Sequence, residues 1–470
     1  MYIVFAGPYP ASPSSAFGHI LLVFEPYNED EKRTGSNPYL WTAVNYAASV
    51  EEFGRTESLW YGLTGQLQGS FEILPFYKKI REYSYIDSRE IWLFPVGLKS
   101  VEKAALIHNL NSRKNFKPYR FTDQNCATEI ADVILESIGE EYRYQVFGLP
   151  QDILELPEIQ NRIGQPLRIK SYYDQIMELD DSFNGSTLLE IDPKWIQELD
   201  SEEKSQLLTT LDWLNTIGYL DSNQSNKALI NELRLDMVDN PSIESTSIFE
   251  ETNFKLHKPT RLGFGRVFNP SSLDVFSLQF RIGLHDEIDF QAIYPKYDYL
   301  NFIEFDIELN ESELLVQEFW LLNQKSRYPK NRYSSYPSWD LAVGGKRYHF
   351  NRESIFKAGL FSSIGRTYSY LNHHFQTSIM LGTHVVSSGD ILPDVIIEPM
   401  VEQRVRFSNL FRFNSELRRP FNAFYDTDSY VVFSNQLIFN FNVNSTLLIE
   451  WNNDYGINSY KVGYFINIGI

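Results

Sequence analysis

Two hydrophobic periods divide this chain. Up to about residue 150, apolar positions come in short runs or at helical spacing, and from about 245 they alternate one by one. Tyr2 to Ala6, Ile20 to Phe24, Leu40 to Ala48 and Ile91 to Val96 are apolar runs of strand length. Leu74 to Tyr83 puts Phe76, Ile80 and Tyr83 on one helical face, with Lys78, Lys79 and Arg81 on others. A second helix is predicted over 100–113, turning Ala104, Leu106 and Ile107 toward a core, and a third over 125–138. In the third, Ile130, Val133, Ile134 and Ile138 share a face, and Asp123 or Thr122 would cap its start and Gly139 stop it. Tyr61 to Gly69, rich in Gly and Gln, reads as a loop. Few helices among short strands predict an α+β domain over 1–150.

Residues 151–243 read as a small helical connector. Pro150, Pro157 and Pro166 punctuate its approach. Asp192-Pro193 starts a helix with Pro in its first turn. Asp200 and Glu203 form a capping-box-like pair ahead of Leu207, Leu208, Leu211 and Leu214, and a further helix runs through Ala228 to Leu235. No chemistry is visible there.

The alternating part is most regular in Phe276, Leu278, Phe280, Ile282 and Leu284, interleaved with Ser277, Gln279, Arg281, Gly283 and His285. Ile303 to Leu309 and Leu437 to Val443 repeat it. The last strand sets Tyr460, Val462, Tyr464, Ile466, Ile468 and Ile470 against Lys461, Gly463, Asn467 and Gly469, with Phe465 as an exception. Alternation alone does not say whether the apolar face points in or out. A soluble sandwich and a membrane barrel share it. Strand length and the apolar end favour an outer-membrane-type antiparallel β-barrel of roughly 12 strands over 244–470.

Composition narrows the function. A net charge of −19 argues against a nucleic-acid partner. The single cysteine excludes an internal disulfide and is compatible with any compartment. There is no CxxC, HExxH or GxGxxG, so no metal or cofactor is expected. His373-His374 reads as surface, and Gly263-Phe264-Gly265 as strand. No apolar run approaches the ~18 residues of a membrane helix. The start lacks the basic region of a signal peptide and reads as a buried strand, from a shortened reading frame or a chain whose leader was removed.

The chemistry centres on Arg120 to Ile130, which holds Cys126. In the first turn of a helix, free N–H groups and the dipole favour a thiolate, the setting of a reactive cysteine. A buried, inert cysteine is the alternative, against which the polar flank Asp123-Gln124-Asn125 argues. A thiol nucleophile needs a base. His108 reads as a surface residue of a helix. His19, after Gly18 and with Ser15 upstream, sits at the mouth of a strand facing a cleft. Asn45, one strand on, would hold the imidazole in its useful tautomer, or merely bond backbone. Gln124 and Asn125 would donate to an oxyanion, or cap the helix. Tyr61 is a further pocket residue, or core.

These residues resemble the Lnb family of bacterial lipoprotein N-acyltransferase-related proteins. The matching segments are Val4-Phe5-Ala6-Gly7-Pro8, Pro13 to His19, Asn45-Tyr46-Ala47-Ala48, Tyr61-Gly62-Leu63-Thr64-Gly65, and Tyr119 through Asn125-Cys126. The likeness extends through Leu284-His285-Asp286 and Tyr333 to Gly345. It also resembles circularly permuted papain-like folds, in which the histidine strand precedes the cysteine helix. The resemblance implies a thiol acyl-transfer site with Cys126 as nucleophile and His19 as base. It implies a lipoprotein or phospholipid donor, a lipoprotein's amine as acceptor, and an outer-membrane location with the catalytic domain in the periplasm. Family members normally carry a signal peptide, whereas this chain starts inside the first strand. The alternatives are a cysteine peptidase or amidase on cell-wall peptides, and a barrel with a plug or binding domain and an inert Cys126.

Overall fold

The structure is a computed structural model. It describes residues 1–9, 18–26, 41–48, 61–62, 64–113, 115–121, 123–142, 148–172, 174–175, a few positions between 204 and 231, 250–251, 257–268, 275–290, 297–310, 313–330, 337–350, 353–371, 374–387, 393–423, 430–454 and 457–468. The chain forms two units, Met1–Phe254 and Lys255–Ile470.

The first unit is built on a sheet of β1 (Tyr2–Ala6), β2 (His19–Phe24), β3 (Thr42–Ala48), β4 (Leu67–Pro75), β5 (Ile91–Pro95), β6 (Lys117–Tyr119), β7 (Leu167–Ile169) and β8 (Glu250–Glu251). Their order is β6-β4-β3-β2-β1-β5-β7-β8, and neighbours run antiparallel. The apolar runs of β1, β2 and β5 lie at the centre, buried on both faces. Val4, Leu21, Val23 and Ala43 share a cluster with Phe76, Ile80 and Tyr83, the predicted helical face. The helix Cys126–Ser137 buries Ile130, Val133 and Ile134. Ser100–Ser112 is helical, but only Leu106 of its expected core side is buried, and Ile107 is exposed.

Two expectations change. β4 takes in the end of the stretch read as a loop and the first two residues of the expected helix, which begins only at Phe76. Gly69 is the reason. A Cβ there would lie 2.6 Å from the Tyr46 hydroxyl, so this glycine marks a close approach within a strand rather than a loop. Beyond 150 the chain is no linker at first. Pro150 and Pro157 open the short helices Pro150–Glu155 and Pro157–Gln160, and the chain then returns to the sheet with Ile169 opposite Ile91. The helices expected around 193–214 and 228–235 lie, but for a few positions, outside the described residues.

The second unit is a closed barrel of twelve antiparallel strands, from Thr260–Phe268 to Ile457–Ile468. Each long strand pairs with the next, and the last pairs with the first, Lys461 opposite Val267. The apolar face points outward: Phe264, Ile364 and Leu381 are 56%, 60% and 51% exposed. Arg281, Arg327, Glu304 and Glu402 are buried. Water would not sustain that arrangement, and a bilayer requires it. On the last strand Tyr460, Val462, Tyr464 and Ile466 are outside, while Phe465 turns in over the Arg261 guanidinium at 5.3 Å. Tyr464→Arg is expected to lower barrel stability by ~2–4 kcal/mol, read as a drop in the temperature of heat-modifiable gel migration.

The interior is filled rather than hydrated at one end. After the strand Val275–His285, residues 286–290 turn into the lumen. Arg281 Nη1 donates to Asp289 Oδ2 at 2.5 Å, and Arg404 Nη2 to Glu287 Oε1 at 2.6 Å. The Ile288 carbonyl accepts from Arg412 Nη2 at 3.1 Å and Asn440 Nδ2 at 3.0 Å. Arg404 belongs to Asp394–Arg406, six strands around the ring from Val275–His285 in either direction. The segment therefore crosses to the opposite wall. Asn467, on the face of the last strand opposite the apolar one, points into the lumen and donates to Asp289 Oδ1 at 3.1 Å within this packing.

Candidate functional site

The site forms where β2 and β3 part. Their pairing ends at Leu21 opposite Asn45, so Ile20 has no partner on β3. The Cys126 sulfur takes the Ile20 N–H. Cys126 is the first residue of its helix. The cap is Asn125 rather than Asp123: its Oδ1 accepts from Ala127 N at 2.8 Å and Thr128 N at 3.3 Å. Asn125 Nδ2 donates to Phe121 O at 2.9 Å and Gly148 O at 2.8 Å. With its side chain so engaged, Asn125 has no donor left for an oxyanion. Asp123 pairs with Arg120 at 3.1 Å.

His19 opens β2 and is 6% exposed. Its Nε2 lies 2.5 Å from Asn45 Oδ1. An amide oxygen can only accept, so Nε2 carries the proton and Nδ1 keeps its lone pair. The ring lies 5.9 Å from that of Tyr83, over which the buried Arg89 guanidinium sits at 4.7 Å. Among the described residues no hydrogen bond joins the thiol to the imidazole; the Ile20 N–H, one residue from His19, links the sulfur to β2.

The electrostatics correct one expectation. Burial pushes the Cys126 thiol up to about 11, although the Ile20 N–H, the Tyr119 hydroxyl and the Ala127 N–H all favour the thiolate. Burial likewise lowers His19 to about 3, against the Asn45 hydrogen bond. Desolvation outweighs the helix terminus. The resting pair is therefore a neutral thiol and a neutral imidazole. Alkylation of Cys126 by iodoacetamide is expected to be slow at neutral pH and to rise about tenfold per pH unit until near the thiol's own pKa. A rate already on its plateau below pH 8 contradicts this.

Aromatic residues that the sequence reading did not single out surround the thiol. Tyr119 bonds the Cys126 sulfur through its hydroxyl. Tyr46 clusters with Leu67, Tyr119 and Phe121, and Tyr61 packs against this cluster as a partly buried wall residue. Tyr46 follows Asn45 directly and Tyr119 opens the cysteine segment, so both lay within the quoted motifs. Gln124, two residues before Cys126, has its Oε1 buried without a hydrogen-bond partner among the described residues. Ser15 lies outside the described residues. His108 is exposed, and His374 Nδ1 bonds the Arg406 carbonyl at 2.7 Å.

Among the described residues, His257, His285 and Asp289 of the barrel group as metal ligands would. Asp289 is already paired with Arg281 and Arg261, and a further cation would meet two buried guanidinium groups.

Residues 1–156 match the family model described as the Lnb N-terminal periplasmic domain. Residues 255–462 match that of a domain of unknown function, DUF7840. No curated protein matches the chain. Among solved structures, an outer membrane channel from Pseudomonas putida F1 is 10% identical, with a TM-score of 0.30 over 46% of this chain and 96% of that one. The KdgM porin in complex with disordered oligogalacturonate is 9% identical, at 0.28 over 44% and 99%. The Acinetobacter baumannii outer membrane protein Omp33 is 8% identical, at 0.27 over 45% and 99%. A closed barrel, apolar outside and charged inside, joined to a periplasmic domain, belongs to the outer membrane.

Proposed function

We propose that the first domain is a thiol acyltransferase or acyl hydrolase. Cys126 is its nucleophile, His19 its base and Asn45 the residue that orients the imidazole. The observation that carries this reading is the buried His19–Asn45 pair, one residue from the N–H that holds the thiol. Because both partners rest neutral, proton transfer accompanies attack instead of preceding it. The Cys126 sulfur bonds the carbonyl carbon of an ester as its proton passes to His19 Nδ1. The carbonyl electron pair moves to oxygen. When it returns, the alcohol leaves with the proton from His19, and an acyl-enzyme remains. An amine or water then takes the acyl group by the same steps in reverse order.

The barrel holds this chemistry at the outer membrane, where ester lipids are the abundant acyl donors. The donor is a phospholipid or the diacylglyceryl group of a lipoprotein, and the acceptor of a transferase is a lipoprotein's amine. The test is incubation of the full chain with lipoprotein, or with phospholipid vesicles, followed by intact-mass analysis. An acyl mass shift on Cys126 is expected. Turnover that persists in Cys126→Ala overturns the reading.

A further inference from the structure

The surroundings of the thiol contain a polar atom with no partner. Tyr46 is 2% exposed, and its hydroxyl has no hydrogen-bond partner among the described residues. A buried hydroxyl without an acceptor is unfavourable and uncommon. Packing fixes its position. The Tyr46 ring is stacked on Tyr119, with centroids 5.9 Å apart, and tilted against Phe71 at 4.9 Å. Gly69 of the adjacent strand leaves the space the hydroxyl occupies, since a Cβ there would lie 2.6 Å from it.

Tyr119 relates this hydroxyl to the nucleophile. Its own hydroxyl bonds both the Cys126 sulfur and the Cys126 backbone N–H. Of these two stacked phenols, one is thus bonded to the sulfur and the other lacks an acceptor. Burial, Glu129 and Cys126 together hold the Tyr46 phenol above its ordinary pKa, so it remains a donor at any physiological pH and lies within electrostatic reach of the thiol. Asn125, the residue its position suggested for an oxyanion, is committed to the helix cap.

We infer that Tyr46 is a catalytic residue, whose hydroxyl donates a hydrogen bond to the acyl carbonyl oxygen as Cys126 attacks. This rests on the acyl-transfer reading above. The substrate supplies the acceptor that the resting protein lacks. As the sulfur–carbon bond forms, the carbonyl pair moves to oxygen and the thiol proton moves to His19. The charged oxygen accepts from Tyr46, whose bond strengthens as charge grows. When the pair returns and the alcohol leaves, Tyr46 still carries its proton.

The test is Tyr46→Phe in the full chain, with two reactions followed at Cys126. Acylation by p-nitrophenyl hexanoate passes through an oxyanion, and alkylation by iodoacetamide does not. Acylation is expected to fall about 100-fold while alkylation keeps its wild-type rate. Wild-type acylation in Tyr46→Phe overturns the proposal and leaves the acyl-transfer reading standing. An equal fall in both reactions overturns it too, because the hydroxyl then acts through the packing of the thiol. If the wild-type chain takes up no acyl group at Cys126, the acyl-transfer reading itself fails and this proposal goes with it.

Discussion

Cys126→Ala is expected to remove acyl transfer altogether, by roughly 10⁴–10⁶-fold, and the double variant with His19 to be no worse than either single one. Such non-additivity is the mark of two groups acting as a unit. The choice of substitution at His19 matters, because the residue is buried and holds Asn45. His19→Ala leaves the Asn45 amide oxygen buried without its donor, at ~1–3 kcal/mol. His19→Gln can keep that hydrogen bond while removing the base, so it separates chemistry from folding. Asn45→Ala frees the ring to rotate, and turnover is expected to fall more than substrate affinity. Steady-state kinetics on the identified ester, with unfolding curves for each variant, check all of these. Activity that survives Cys126→Ala, or singles whose losses multiply in the double, would remove the dyad.

The second large effect is expected in the lumen. Arg281 is fully buried, and its Nη1 lies 2.5 Å from Asp289 and 3.0 Å from Asp286. Arg281→Ala leaves both carboxylates to Arg261, and breaking a buried pair in this way costs ~3–5 kcal/mol. Arg281→Met combined with Asp289→Asn removes both charges and should recover most of the loss. Heat-modifiable migration in detergent reads the stability. The same segment crosses the barrel to Arg404 and Arg412 on the far wall. The wild-type barrel is therefore expected to show no steady conductance in a planar bilayer, and Arg281→Ala to show fluctuating openings. A steady open channel in the wild type would mean that residues 286–290 do not occlude the lumen.

Local pattern was sufficient wherever one element's own residues decide the outcome. The offsets of Ile130, Val133 and Ile134 specify the cysteine helix and its buried face, and Gly139 ends it in a left-handed conformation at φ 83°. Period two specifies the barrel strands and the division of the last one into Tyr460, Val462, Tyr464 and Ile466 against Gly463 and Asn467. The pairing of His19 with Asn45 was legible as a hypothesis, because adjacent strands with polar residues near one end bring them within reach.

Tertiary structure decided whatever depends on segments distant in the chain. Alternation could not say which face points outward; barrel closure and the ion pairs of Arg281, Arg327 and Glu402 inside it did. Residues 286–290 carry no local pattern of their own. They form a lumen crossing because their partners Arg404 and Asn467 lie 117 and 178 residues away. The helix cap moved to Asn125 because the Phe121 and Gly148 carbonyls converge on its amide. The sequence around Cys126 pointed to a lowered pKa, since a helix terminus is a local field. The raised value comes from desolvation, and the matrix that excludes water includes strands roughly a hundred residues earlier in the chain. The unpartnered Tyr46 hydroxyl was beyond the sequence for the same reason: a missing partner is a property of everything packed around an atom.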